Sequence, residues 1–455
     1  MAGNVGTTVL LVFALSCVML AACRDQGSAS ARGSTEARED SDAGGRVGSG
    51  GGSASGNSSD RGGGVATGGD GAHITTGGAS SSDELDAGRS ASGSNSGDRI
   101  VSPGGTGSAR ELAAKLGRDH FLIGMGNDLA SDHNYDGAYT LGVTLDIHYA
   151  YLVGLLGQGG WPDWNENGSF VDILAEPAIA RGVIPMYTLY SMAAWGEANI
   201  AVLTNDDYMG PYWDGAKLLF SRLGELEGPS IVHFEPDFWA YAQHQAGEDP
   251  GSIPVHVTSL AADCAGLPDN LVGMGGCLVA LARKYAPLSV VGFHASVWAA
   301  GDAGSVARFL KGIGAGDADF VALDMLDRDA GCFEAGNDPN CTRTEGGWYW
   351  DDTNQTSPNF HEHLAWAKEL ADELGKPILW WQVPFGVPSD TPGGTPGHYR
   401  DNRVKYIFEH IDEFIAAGGA GAVFGTGAGN QTYIDTDGDQ FKAAASAYFE
   451  GPTPL

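Results

Sequence analysis

From Phe121 to Phe424 the chain repeats one pattern: a short apolar run, a polar or aromatic end, then a longer stretch with helical spacing. Eight such runs occur, at Phe121–Gly126, Val143–His148, Val183–Leu189, Ile231–Phe234, Ser289–Phe293, Phe320–Leu323, Pro377–Gln382 and Gly421–Phe424. Helical patterns separate most of them, at Ser169–Arg181, Tyr212–Leu226, Asn270–Tyr285, Gly304–Lys311, Asn359–Leu374 and Asn402–Ala416, and Phe441–Phe449 closes the chain. Strands apolar on both faces and alternating with helices belong to a parallel sheet covered by those helices. Eight units predict an α/β fold, a single (β/α)₈ barrel. An open doubly wound sheet fits the same alternation, but no glycine-rich phosphate-binding turn follows the first run. Between the first two runs, Asn127–Gly142 reads as a loop, long enough for a right-handed crossover.

A barrel of this kind keeps its chemistry at the carboxyl ends of the strands. Ile231-Val232-His233-Phe234-Glu235-Pro236-Asp237-Phe238-Trp239 is the richest of these ends. Pro236 has no N–H for the ladder, so the strand stops there with two carboxylates and an indole at its tip. The other predicted ends carry Asp128, Asp146 with His148, Tyr190, His294 with Trp298, Asp324 with Asp327, and Trp380-Trp381-Gln382. Aromatic rings beside carboxylates suit sugars, whose C–H faces stack on indoles while their hydroxyls take charged partners. Trp161, Trp164, Trp195 and Trp213 extend such a cleft or plug its loops, with about half expected in each role.

The first quarter of the chain has a different character. Residues 9–22 form an apolar run too short for a comfortable membrane span. From Arg24 to about Gly107 the sequence is mostly Gly, Ser and Ala with scattered charges, a composition that cannot bury enough apolar surface to order itself. About 80 such residues make a tether with an r.m.s. span of roughly 50 Å. Residues 101–455 carry 18 basic and 46 acidic side chains, a net charge of −28. So acidic a surface argues against nucleic acid or anionic lipid as partner and fits a neutral substrate. Of six cysteines, four fall as close pairs, Cys264/Cys277 and Cys332/Cys341, which read as two local disulfides rather than a zinc site, since no Cys-x-x-Cys is present.

Leu20-Ala21-Ala22-Cys23, at the end of the apolar run, resembles the lipobox of bacterial lipoproteins, although no Lys or Arg precedes the run. The resemblance implies cleavage after residue 22, lipidation of Cys23, a linker over 23–107 and a globular domain over 108–455. With Arg24 rather than Asp following the cysteine, it also implies export to the outer membrane or cell surface, with the lipid as the membrane contact. The barrel pattern, Glu235 and the Trp-rich seventh strand resemble (β/α)₈ glycoside hydrolases over most of residues 118–450. In their largest clan a Glu at the end of strand 4 is the acid/base and a Glu on strand 7 is the nucleophile. Glu235 matches the first position, whereas Trp380-Trp381-Gln382 supplies no carboxylate at the second. Glu235-Pro236-Asp237 also resembles a triplet of inverting cellulases.

These readings predict a glycosidase acting on a neutral polysaccharide or oligosaccharide. Glu235 is the candidate acid, because Phe234, Phe238 and Trp239 desolvate it. Asp324 is the first choice of partner, Asp237 the second and Asp146 the third. A separation of about 5–5.5 Å would make the enzyme retaining, and roughly 6.5–9.5 Å inverting. Asp128, Asp146, His148, Tyr190, Trp239, His294, Trp298, Trp380, Trp381 and Gln382 are candidate sugar contacts. The missing strand-7 carboxylate keeps open a non-catalytic carbohydrate-binding protein on the same scaffold. Asp146, His148, Glu235, His294 and Asp324 together would also suit a metal-dependent hydrolase, though no His-x-His motif singles it out. No cofactor or protein partner is implied. Asp435-x-Asp437-x-Asp439 resembles the start of a calcium loop but lacks the Gly at position six and the Glu at twelve; Asp439 reads as the cap of the last helix. Arg400 and Arg403 either pair with an active-site carboxylate or neutralise a helix start. Gly425–Asn430 reads as a flexible rim.

Overall fold

Strands rich in Val, Ile and aromatic residues, with no stretch of alternating polar residues, require cover on both faces and leave no edge exposed if they close on themselves. The computed structural model, which describes residues 107–126, 137–325, 328–342, 348–425 and 430–455, shows that closure. Its strands are β1 (Leu122–Gly126), β2 (Ile147–Val153), β3 (Ile184–Tyr190), β4 (Ile231–Phe234), β5 (Val290–Ala295), β6 (Phe320–Asp324), β7 (Ile378–Val383) and β8 (Gly419–Phe424). Each pairs in parallel with the next, and β8 returns to β1 through the register Leu122↔Gly421 to Met125↔Phe424. The eight-stranded barrel read from the sequence is therefore present. The predicted tether, the signal run, Cys23, Asp128 and Asp327 lie outside the described residues.

The helices are α1 (Gly107–Lys115), α2 (Gly137–Thr140), α3 (Trp161–Trp164), α4 (Phe170–Ile179), α5 (Asp206–Leu223), α6 (Phe238–Ala246), α7 (Leu271–Tyr285), α8 (Ala303–Gly312), α9 (Ala330–Ala335), α10 (Phe360–Leu374), α11 (Arg403–Glu409), α12 (Ile411–Ala416) and α13 (Gln440–Phe449). Asn205, Asn270, Asp302 and Asn359 each accept a first-turn N–H, ending the preceding loop and starting α5, α7, α8 and α10. Helix α5 begins six residues before the predicted Tyr212. Pro211 withholds an N–H from the Asp207 carbonyl, which instead accepts from the Gln158 side chain at 3.0 Å, so the helix runs through the proline. The predicted helix over Asn402–Ala416 is two helices, broken where His410 takes φ −130° and stacks on Tyr406.

One boundary error matters for function. The second strand runs from Ile147 to Val153, not from Val143 to His148. The polar His148 looked like an end, but Tyr149, Tyr151 and Val153 continue the period-two pattern beyond it. Asp146 and His148 accordingly sit where β2 begins. Asp146 accepts from Arg118 Nε at 2.8 Å and from the Ile123 N–H at 3.0 Å, and lies 3.2 Å from His120 Nε2. Asp319, just before β6, is held the same way by Lys115, Arg283 and the Val291 N–H. Both aspartates stitch the amino end of the barrel, where side chains serve stability.

Two disulfides form as the spacing implied, Cys264–Cys277 at the start of α7 and Cys332–Cys341 in the loop after β6. The last helix is capped by Asp437 rather than Asp439: the Asp437 carboxylate accepts the Asp439 and Phe441 N–H groups at 2.9 Å, while Asp439 makes no side-chain cap. Arg400 pairs with Glu334, an exposed contact. No helix among the described residues is long and apolar enough to cross a membrane.

Candidate functional site

Chain direction places the ends of β2 to β7 around one mouth, and alternation along each strand decides which side chains enter it. Trp381 of β7 lies at the centre. Its ring meets His233 of β4 at 4.8 Å between centroids, Tyr151 of β2 at 5.6 Å, His294 of β5 at 5.7 Å and Tyr149 of β2 at 6.1 Å. The indole is 4% exposed, and its Nε1 has no hydrogen-bond partner among the described residues. Its neighbour Trp380 points to the other side of the wall, where it is fully buried, donates to His363 Nε2 at 2.9 Å and packs on Phe414. Trp239 is likewise buried behind the wall, with Nε1 donating to the Phe234 carbonyl at 3.1 Å and its ring against Phe293. These two indoles are packing residues rather than sugar contacts.

Two rows of side chains lead from Trp381 to two partly exposed carboxylates. One is aromatic: Tyr151 meets Trp381 and, at 6.1 Å, Tyr190 of β3, whose hydroxyl donates to Asp237 Oδ2 at 3.5 Å. The other is polar. Thr188 Oγ1 of β3 lies 3.4 Å from His233 Nδ1, His233 Nε2 lies 3.0 Å from His294 Nδ1, and His294 Nε2 lies 3.8 Å from Asp324 Oδ1. Burial pushes both imidazoles down, His294 to about 3, so both are neutral at ordinary pH.

Glu235 follows β4 as expected, but its carboxyl is buried. Oε2 accepts the Met192 N–H at 2.9 Å, in the 3₁₀ turn Ser191–Trp195, and the residue is fully buried. Desolvation pushes its pKa up to about 8, against the opposing hydrogen bond from the Met192 N–H. The carboxyl therefore holds a proton at neutral pH. Glu235, Asp237 and Gln382 all adopt positive φ, 46°, 63° and 55°. Left-handed backbone at non-glycine residues costs free energy and collects at functional sites. In β7 the Gln382 kink coincides with a register shift against β8.

At the rim, Trp195 after β3 and Trp298 after β5 are 44% and 40% exposed. The Trp298 ring is held edgewise by Tyr241 at 4.9 Å and His244 at 5.3 Å. Trp161 and Trp213 are buried loop plugs, and Trp164 is half-buried. Of the residues proposed from sequence, the mouth thus gathers Tyr190, Asp237, His294, Trp298, Asp324 and Trp381. Asp146 and His148 lie at the amino end, where Tyr139 Oη hydrogen-bonds His148 Nδ1 at 2.8 Å. That placement disperses the five metal-ligand candidates. Sequence reasoning missed Tyr149 and Tyr151, which unbroken alternation from Ile147 would have exposed, and Thr188, for which no local signal exists.

A second polar cluster, also missed, joins the loops after β6, β7 and β8. Asp401 accepts the Ala330 N–H at 2.9 Å and pairs with Arg403, which also donates to the Met325 and Trp348 carbonyls. Asp329 accepts the Gly386 and Thr432 N–H groups at 3.1 and 2.6 Å. All three side chains are buried. Burial, then the Asp401 charge, pushes Asp329 up to about 7.

No family model and no curated relative matches the chain. Among solved structures, a modular endo-β-1,4-mannanase from Cellulomonas fimi, of glycoside hydrolase family 26, is 15% identical over 78% of this chain and 77% of its own, with a TM-score of 0.44. GH26C from Muricauda sp. is 11% identical over 77% and 90%, at 0.44. The clostridial cellulose synthase subunit Z from Clostridioides difficile is 11% identical over 71% and 99%, at 0.41. At this distance no residue role transfers from these proteins; the barrel rests on its own strand pairing.

Proposed function

We propose that the protein is an exported glycoside hydrolase acting on a neutral polysaccharide or oligosaccharide, anchored through lipid on Cys23 at the outer membrane or cell surface. The observation that carries this reading is the convergence of two partly exposed carboxylates, Asp237 and Asp324, on one aromatic floor at the carboxyl end of the barrel. Glycoside cleavage needs one carboxyl to protonate the leaving oxygen and a second, ionised, to act as nucleophile or base. Asp324, facing the neutral His294, takes the ionised role. Asp237, with Tyr190 beside it, is the acid that meets substrate. Glu235, the first candidate by position, carries a proton but is sealed beneath the 191–195 turn, which it supports. Trp298 and Trp195 offer exposed indole faces for flanking sugar rings, and Gln382 a hydroxyl contact.

The test is reducing-sugar release by the full chain from a panel of neutral polysaccharides, beside Asp237→Asn, Asp324→Asn and Glu235→Gln. Each Asp variant is expected to lose roughly 10²–10⁴-fold in turnover, with Glu235→Gln largely active. Full activity in both Asp variants would discard this site. A second reading, a non-catalytic sugar-binding protein, is favoured by the sealed Glu235 and the carboxylate-free end of β7. Binding to a polysaccharide without release from any substrate would establish it.

A further inference from the structure

The polar row Thr188–His233–His294–Asp324 crosses four adjacent strands, and its chemistry allows only one orientation if Asp324 is ionised. Two neutral imidazoles joined through His233 Nε2 and His294 Nδ1 at 3.0 Å share a single hydrogen between those atoms. If it belongs to His294 Nδ1, then His294 Nε2 is a lone pair facing the Asp324 carboxylate at 3.8 Å, a repulsive arrangement. If it belongs to His233 Nε2, then His294 Nε2 carries an N–H directed towards Asp324, His233 Nδ1 is an acceptor, and the Thr188 hydroxyl at 3.4 Å donates to it. Every donor in the second arrangement points the same way. The Trp381 ring sits against both imidazoles, at 68° and 82° to their planes.

We propose that Thr188, His233 and His294 form a one-way hydrogen-bond row that presents the His294 Nε2–H to Asp324, making the two histidines positioning residues that hold Asp324 as a carboxylate. The contact at 3.8 Å is longer than a hydrogen bond, so it acts as a directed dipole. Among the described residues, the ionisable groups close to this end of β3 to β5 include Tyr190, Glu235 and Asp237, and the buried ones in the loops after β6 and β7 include Arg328, Asp329, Asp401 and Arg403. Arg403 donates to the carbonyl of Met325, next to Asp324, and is neutralised by Asp401. The part played by Asp324 in turnover rests on the glycosidase reading; the direction of the row does not.

The experiment therefore has two arms. In the first, the full chain labelled with ¹⁵N-histidine is examined by long-range ¹H–¹⁵N correlation between pH 5 and 8, with His233→Gln and His294→Gln giving the assignments. Both rings are expected as the Nε2–H tautomer with no titration over that range. A hydrogen on Nδ1 of either ring, or an imidazolium at pH 7, would overturn the proposal even if sugar release is confirmed. In the second arm, the pH profile of kcat/KM is compared for wild type, His294→Phe and His294→Gln. Loss of the donor destabilises the Asp324 carboxylate, so the acidic limb should move to higher pH by about one unit in His294→Phe, and return partly in His294→Gln, whose amide supplies an N–H. An unmoved limb in an active His294→Phe would also overturn the positioning role. If no substrate is cleaved at all, the glycosidase reading fails while the tautomer result still decides the direction of the row.

Discussion

Two buried clusters of ionisable side chains stand at the same end of this barrel, and they differ in how their hydrogen bonds end. Around Asp329, Asp401 and Arg403 the account is closed. Both oxygens of each carboxylate accept donors, and Nε, Nη1 and Nη2 of Arg403 all donate, tying together loops that follow three strands. The Thr188–His233–His294 row runs instead to a carboxylate whose side chain is 19% exposed, beneath an indole N–H left without a partner. A perturbed pKa alone does not tell these clusters apart, since Asp329 and the two histidines are all strongly shifted by burial. A closed account marks a structural knot. A row that ends at solvent, beside an indole N–H without a partner among the described residues, marks a place for a ligand.

The sharpest way to break this contrast is to open the knot. Arg403→Met leaves Asp401 buried without its cation and should lower unfolding free energy by about 3–5 kcal/mol in urea melts; a loss below about 1 kcal/mol would mean that the cluster does not hold the loops. Asp324→Asn, at the open end of the row, should change the same melt by less than about 1 kcal/mol while abolishing most turnover. If it unfolds the protein instead, the row is a second knot.

A smaller effect is readable in pH. Asp329 has a folded pKa of about 7, raised above the unfolded value near 3.8. Its bound proton therefore stabilises the fold fully below pH 4, and that contribution fades as pH rises through 7. Compared with Asp329→Asn, wild type should lose stability across this window with a slope difference of about one proton, measured as urea midpoints from pH 4 to 8. An identical slope would show that Asp329 ionises freely. Glu235→Gln is expected to be the mildest change at low pH, within about 1 kcal/mol below about pH 4.5, because the amide oxygen keeps the Met192 N–H. Its folded pKa of about 8 is likewise raised, so wild type alone loses stability as pH climbs from 4.5 through 8, and the variant should gain relative to it across that window.

Much of the fold was legible in the residues. Eight apolar runs, the helix starts at Asn270 and Asn359, and two close cysteine pairs are all local signals, each set by neighbours within a short span of the chain. Where a local signal misled, the cause is identifiable. The helical pattern was read from Tyr212, but α5 begins at Asp206 and runs through Pro211, because a side chain from another loop satisfies the carbonyl the proline frees. His148 looked like a strand end because it is polar, although its strand continues for five further residues.

The site was legible only by residue type. Acidic and aromatic residues collect after the strands, and six of the proposed residues do meet at the mouth. What the sequence could not supply is phase. Alternation states that Trp380 and Trp381 face opposite sides of the wall, but barrel closure and register with β6 and β8 decide that Trp381 faces inward. Alternation also placed His233, Glu235 and Asp237 on one face, and positive φ at the last two breaks that rule. The chain by itself determined that there would be a barrel and which residue types would crowd its carboxyl end, because strand and helix periodicities are local properties. Only the tertiary structure decided that Glu235 is buried while Asp237 and Asp324 reach solvent, because exposure depends on loops from β3, β6 and β7 that meet these residues only after the sheet has closed.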